Sequence, residues 1–272
     1  MLVCTLGDAL LDVVVRPEKA LVEGDDVPAE IHAGAGGQAA NVAAWAVELG
    51  AQARVVAKRA EDATTALVEA ELRARGVDVT GPVVPGRCGI VVSQVGPDGE
   101  RSMLSDRGVC PELRAEELEV SWFRGCEALH LSGYALLARP IDEAGAKAAG
   151  AVSAQGGRVS VDLGARTAIE AFGPERLLGR LADLSPDVVF AGERELEALG
   201  GKPPASTLVI KRGGRGCTVV GKGTSVDYEA MPADVVDTTG AGDAFAAGFL
   251  VGGPELALEA AARCVSKLGA LP

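Results

Sequence analysis

The 272-residue chain has few aromatic residues, 3% of the total, and only two histidines. Its core must therefore be built from alanine, valine and leucine, and a zinc site has too few imidazoles to draw on. The six cysteines, Cys4, Cys88, Cys110, Cys126, Cys217 and Cys264, form no CxxC pair and keep no regular spacing. That excludes a recognisable disulfide framework and fits reduced, buried thiols of a cytoplasmic protein. Positive charge is short as well: a net charge of −12 argues against a nucleic-acid or anionic-membrane partner. No apolar run reaches the 18 residues of a membrane-spanning helix. Residues 1–8 lack the basic start of a signal peptide, so none is expected.

Against these absences stands an apolar fraction of 48%, ample for one large α/β domain at this length. Short apolar runs at 2–6, 53–57, 128–132, 158–162, 187–191 and 207–211 read as buried strands. Helical segments alternate with them, from the glycine turn at 34–41 to about residue 49, then over 62–76, 141–155, 174–184, 193–199 and 255–267. Residues 217–220 and 225–228 predict a hairpin. Strand–helix alternation predicts a mostly parallel sheet covered on both faces, with ligands at the carboxyl ends of its strands. Asp8, Asp162, Glu193, Glu195 and the 237–243 loop all fall at such ends. Residues 87–105 differ in character: two extended runs flank Gly96-Pro97-Asp98-Gly99, the signature of a hairpin. With the extended pieces at about 12–16 and 29–33, they predict a small separate sheet. No internal repeat or interdomain linker is visible, so residues 1–272 read as a single domain.

Two glycine-rich segments carry the chemistry. Gly36-Gly37-Gln38-Ala39-Ala40-Asn41 opens one helix, and Asp237-Thr238-Thr239-Gly240-Ala241-Gly242-Asp243 opens another. A helix start carries uncommitted N–H donors and partial positive charge, which favour a phosphoryl group. Asp243 lies in the first turn, where a carboxylate can act as a cap or as a base. Donors for developing negative charge beside a proton acceptor are what phosphoryl transfer to a hydroxyl needs. Taken alone, the residues also allow a plain glycine turn with an aspartate cap. A dinucleotide-binding dehydrogenase is disfavoured, because no GxGxxG follows the first strand.

The two segments, in this order and with a flap between them, resemble the signatures of the ribokinase-like (PfkB) carbohydrate kinase family over essentially the whole chain. The resemblance implies a three-layer α/β/α sandwich with a mostly parallel central sheet and a small β-lid. It implies transfer of the ATP γ-phosphate to a hydroxyl of a small sugar, related polyol or nucleoside. Asp243 would be the general base, and the amides of Gly240, Ala241 and Gly242 the anion hole. Asp12, Gly36, Gly37 and Asn41 would bind the substrate. Lys211, Gly213, Gly216 and Thr238 would border the nucleotide. Glu195 would organise Mg²⁺ through water, and Asp237 would help to hold a monovalent cation such as K⁺. A homodimer through the lid is implied too. Two departures stand out. Gly192 takes the place of the family's asparagine three residues before Glu195, which implies weaker metal handling, and the chain stops at Pro272, where relatives often continue. They motivate a competing reading, a catalytically silent sensor of sugar or nucleotide. Asp162 and Arg107 remain open, the first between a turn and a functional residue, the second between a ligand contact and a surface charge.

Overall fold

The computed structural model describes residues 1–96, 101–221 and 223–272. In chain order, β1 (Leu2–Leu6), β2 (Leu10–Pro17) and β3 (Ala29–Gly36) lead into α1 (Gln38–Glu48). Then come β4 (Gln52–Val56), β5 (Arg59–Ala60), α2 (Ala63–Ala74), β6 (Asp78–Thr80) and β7 (Val83–Val84). The flap follows as β8 (Ile90–Val95) and β9 (Arg101–Asp106). The second half runs β10 (Ala128–Ser132), α3 (Gly133–Leu136), α4 (Ile141–Ala154), β11 (Arg158–Asp162), α5 (Arg166–Phe172) and α6 (Pro174–Leu184). It continues with β12 (Val188–Gly192), α7 (Glu193–Leu199), β13 (Thr207–Lys211), β14 (Cys217–Gly221), β15 (Thr224–Tyr228), α8 (Ala241–Gly252) and α9 (Pro254–Val265).

The central sheet has nine strands in the order β15-β14-β13-β12-β11-β10-β1-β4-β6. The seven from β13 to β6 are parallel, and the β14–β15 hairpin closes one edge antiparallel. These strands read as nearly unbroken apolar runs because both their faces are covered. Along β12, Val188 and Phe190 join the core under α1, α8 and α9, while Val189 and Ala191 join the core under α4, α6 and α7. The result is the expected α/β/α sandwich. Three of the five phenylalanines meet at one place, where Phe190 sits edge-on to Phe245 and Phe249 of α8 at 6.4 and 5.4 Å.

The lid is a separate four-stranded sheet, β3-β2-β8-β9. Strands β8 and β9 pair antiparallel from Ile90 opposite Asp106 to Val95 opposite Arg101. The Pro97-Asp98-Gly99 turn predicted between them lies outside the described residues. Because β1, β10, β11, β12 and β13 run the same way, Asp8, Ser132, Asp162, Gly192 and Lys211 collect along one edge of the large sheet. The lid strand β3 ends there at Gly36, next to the start of α1. Among the described residues, no helix is long and apolar enough to cross a membrane.

Candidate active site

Helices α1 and α8 pack against each other, and their compositions allow a close approach. The buried residues of α1 include Ala39, Ala40, Ala43, Ala44 and Ala46; those of α8 include Ala244, Ala246, Ala247 and Gly248. Such small side chains bring the two N-terminal turns together. There Asn41 Nδ2 donates a 2.8 Å hydrogen bond to Asp243 Oδ2, joining two residues 202 positions apart. Asn41 is 5% exposed, and its Oδ1 has no hydrogen-bond partner among the described residues. A buried acceptor seldom goes unmatched, and a ligand hydroxyl is the kind of donor this one would take. Asp243 lies in the first turn, but the N-cap position is Gly240, which adopts a left-handed conformation (φ 76°), and no side chain caps the helix. The carboxylate is thus held by Asn41 and is not spent as a helix cap.

Around this pair the N-terminal glycine segment is tightly drawn. Gly37 has φ 97°, and a Cβ there would stand 2.5 Å from the Asp8 carbonyl oxygen. A Cβ on Gly36 would stand 2.5 Å from Asp12 Cβ. The backbone of the signature is therefore pressed against the two acidic residues that follow β1. Asp8 is itself engaged: Arg107 Nε and Nη2 donate to its two oxygens at 2.6 and 2.8 Å, and the guanidinium lies 5.7 Å from the centre of the Tyr134 ring. Burial pulls the Arg107 pKa down, but the bidentate bond to Asp8 outweighs it and leaves the pKa raised. Arg107 thus joins the lid to the sheet edge. Of the other lid arginines whose pairing is described, Arg87 faces Asp106 at 3.2 Å and Arg16 faces Glu30 at 3.9 Å.

On the far side of α8 lies a cavity of about 470 Å³. Lys211, Gly213, Gly216 and Thr238 line it together with Ala241 and Gly242, so all four residues expected to border the nucleotide meet there with two of those expected to form an anion hole. Its other end is apolar, built from Met231, Pro232, Val235, Leu258 and Val265. A flat apolar slot leading to a glycine turn and a helix start fits a nucleotide, base at one end and phosphates at the other. Lys211 lies at the glycine end. Its Nζ donates to Asp162 Oδ2 at 2.6 Å, and a Cβ on Gly242 would lie 3.3 Å from that nitrogen.

The metal assignments look different. Glu195 turns back on its own helix and accepts the Gly192 N–H at 2.6 Å. Burial raises its pKa, opposed by the Lys211 ammonium. Among the described residues no three His, Cys, Asp or Glu side chains form a metal cage. Mg²⁺ needs no such cage when it arrives on nucleotide phosphates, where one or two carboxylates suffice, so Glu195 fits a water-mediated role. Asp237 is engaged within its own loop. Its Oδ1 accepts from the Thr239 N–H at 2.9 Å and the Thr239 hydroxyl at 2.7 Å, and its Oδ2 from the Gly269 N–H at 2.9 Å. These donors clamp the loop to the segment after α9. Trp45 Nε1 secures the same segment through the Ala270 carbonyl at 2.8 Å.

Sequence reading missed the Asp8–Arg107 bond and left Asp162 open; strand-end position was the available signal for both. The remaining candidates have structural settings. His130 is buried with Nδ1 3.0 Å from Ser160 Oγ. Burial pushes the Cys110 thiol up to about 12 and raises Cys88 as well.

Comparison with known proteins agrees with this geometry. The sequence profile of the pfkB family carbohydrate kinases matches residues 1–271. An ATP-dependent ribose-1-phosphate kinase of Halopiger xanaduensis is 33% identical over 249 residues, 84% of this chain and 78% of the relative. A fructokinase of Escherichia coli is 31% identical, covering 92% of this chain and 83% of the relative. The crystal structure of an adenosine kinase from Sinorhizobium meliloti superposes with a TM-score of 0.89 at 25% identity, covering 99% of this chain and 95% of that one.

Proposed function

The chain belongs to the pfkB family of carbohydrate kinases, and we propose that it moves the γ-phosphate of ATP to a hydroxyl of an uncharged sugar or nucleoside. The observation that carries this is the Asn41–Asp243 hydrogen bond, which joins the two signatures at one point. The substrate hydroxyl gives its proton to Asp243, its oxygen forms a bond to the γ-phosphorus, and the bond from that phosphorus to the bridging oxygen breaks. ADP leaves with the electron pair. Asn41 orients the carboxylate, and its Oδ1 and Asp12 serve the other hydroxyls across the bare Gly36–Gly37 backbone. The first-turn amides at Gly240, Ala241 and Gly242 meet the charge on the transferring group. Lys211, Gly213, Gly216 and Thr238 seat the nucleotide. Mg²⁺, carried by the phosphates, would offset their charge, with Glu195 reaching it through water. Asp237 orders the loop.

A neutral substrate is favoured because the described lid arginines already face acids, Arg107 Asp8, Arg87 Asp106 and Arg16 Glu30. The lid also supports a homodimer, through its two open edges. A panel of fructose, ribose, adenosine and ribose 1-phosphate with Mg-ATP, read as ADP release, tests the reaction. The expected result is turnover with a neutral member and little with the phosphate. Asp243→Asn should lower turnover by about 10² to 10⁴ while sugar and nucleotide still bind. ATP binding without turnover on any member would favour the silent-sensor reading, and an active Asp243→Asn enzyme would remove the base assignment.

A further inference from the structure

The ion pair between Lys211 and Asp162 spans a strand. Strands β11, β12 and β13 are neighbours, so the two residues stand on strands about 10 Å apart with β12 between them. Asp162 pairs with Phe190, and Lys211 pairs with Gly192. Paired residues share a face and alternate ones return to it, so all four project toward α8, where Phe190 packs. To reach Asp162 the lysine side chain must pass over the end of β12 at Gly192. No side chain stands there, and a Cβ at that position would already lie 3.2 Å from Glu195 Oε1. The bridge ends with the ammonium against Gly242 and facing the nucleotide cavity, whose described lining holds no other charged side chain. A lysine that served only to tie strand ends together would have no reason to end there.

We propose that Lys211 is a catalytic residue, its ammonium touching the oxygens of the transferring phosphoryl group, and that Asp162 is the positioning residue that holds it over the anion hole. The inference rests on the kinase reading and adds a fixed cation to it. As the new oxygen–phosphorus bond forms and the bond to ADP breaks, charge spreads over the three remaining oxygens of the group. A preorganised cation in a water-poor site is worth most at that moment. Burial alone would pull the ammonium toward neutrality, but the Asp162 and Glu195 carboxylates outweigh it and keep the lysine charged.

The test is nucleotide affinity by calorimetry, with ADP, which lacks the transferring group, and with the non-hydrolysable analogue AMP-PNP. It uses wild type, Lys211→Met, Asp162→Asn and the double variant, which leaves neither partner of the pair charged and so guards against misfolding. Lys211→Met should weaken AMP-PNP by about tenfold or more and weaken ADP far less, as expected for loss of a charged hydrogen bond to the transferring group. Asp162→Asn should weaken AMP-PNP less, and the double variant no more than Lys211→Met. Asp162→Glu should recover part of the loss. With the substrate found in the panel, kcat should fall in Lys211→Met with the sugar KM unmoved. Equal weakening of ADP and AMP-PNP, or wild-type AMP-PNP affinity in the double variant, would overturn the proposal. A wild type that binds no nucleotide overturns the kinase reading, and this inference with it.

Discussion

At the scale of single residues, the sheet edge mixes groups that serve a ligand with groups that serve the core. His130 belongs to the core. Ser160 Oγ donates to the Leu129 carbonyl at 3.1 Å, so His130 Nδ1 carries the proton and donates to that oxygen, while Nε2 is buried with no partner among the described residues. Burial drives its pKa from 6.5 to about 4; Asp162 opposes the shift and Lys211 adds to it. Between those values the unfolded chain takes a proton that the folded one refuses, so stability is complete above 6.5 and falls as pH falls toward 4. Unfolding in denaturant should show this group removing about 2 kcal/mol between about pH 8 and pH 5. His130→Asn should flatten that part of the pH slope, and an unchanged slope would show that another group sets it. The same contrast explains what could be read in advance. Asp243 and Asn41 are legible because glycines bracket them in the chain. Lys211 and Asp162 are partners only because β11 and β13 flank β12, 49 residues separate them, and neither stands in a motif that names the other.

At the scale of elements, the proposed anion hole depends on the start of α8 being pressed against the segment after α9. Gly240 has φ 76°, and a Cβ there would lie 2.5 Å from Ala270 Cβ and 2.6 Å from its Cα. Gly200, at the end of α7, has φ 65° but nothing within 4 Å of its would-be Cβ. An alanine at either site meets the left-handed strain of about 1–2 kcal/mol; only at Gly240 does it also displace the loop. Gly240→Ala should therefore lower kcat by about a hundredfold, while Gly200→Ala keeps full activity and loses about 1 kcal/mol in denaturant. Equal activity in the two variants would detach the loop from catalysis. Elements with strong periodicity were legible: the parallel strands other than β6, α2 with its Asp62 cap on the Thr65 N–H at 2.7 Å, and α8. The short α3, α5, β5, β6 and β7 were not, being too brief for a period to show. The three single 3₁₀ turns between residues 110 and 123 carry no repeat either.

At the scale of the whole molecule, the chain is a large sheet with two closed faces and a small sheet with open edges. The lid was legible as extra strands in an α/β pattern, but which strands would be outermost was not, since β2 pairs with β8 across more than seventy residues. In the fold, β3 and β9 are the outer strands, each paired on one side only among the described residues. They carry Ile31 at 63%, Met103 at 52% and Leu104 at 72% exposure. Unpaired edges bearing large apolar side chains invite pairing with another copy. The lid is also tied to both halves of the site, through Arg107 to Asp8 and through Arg16 Nη2, which donates to the Val236 carbonyl at 3.2 Å beside the anion-hole loop. A partner that fixes the lid would therefore fix the floor of the substrate cleft. Light scattering at micromolar concentration should give twice the chain mass for wild type and the single chain mass for Ile31→Lys combined with Leu104→Lys. The monomeric variant should keep its affinity for nucleotide, whose cavity lies on the far side of α8, and show a raised KM for the sugar. A monomeric wild type would end the dimer expectation. A dimeric double variant would place the interface away from these edges, and the sugar KM would then have no reason to change.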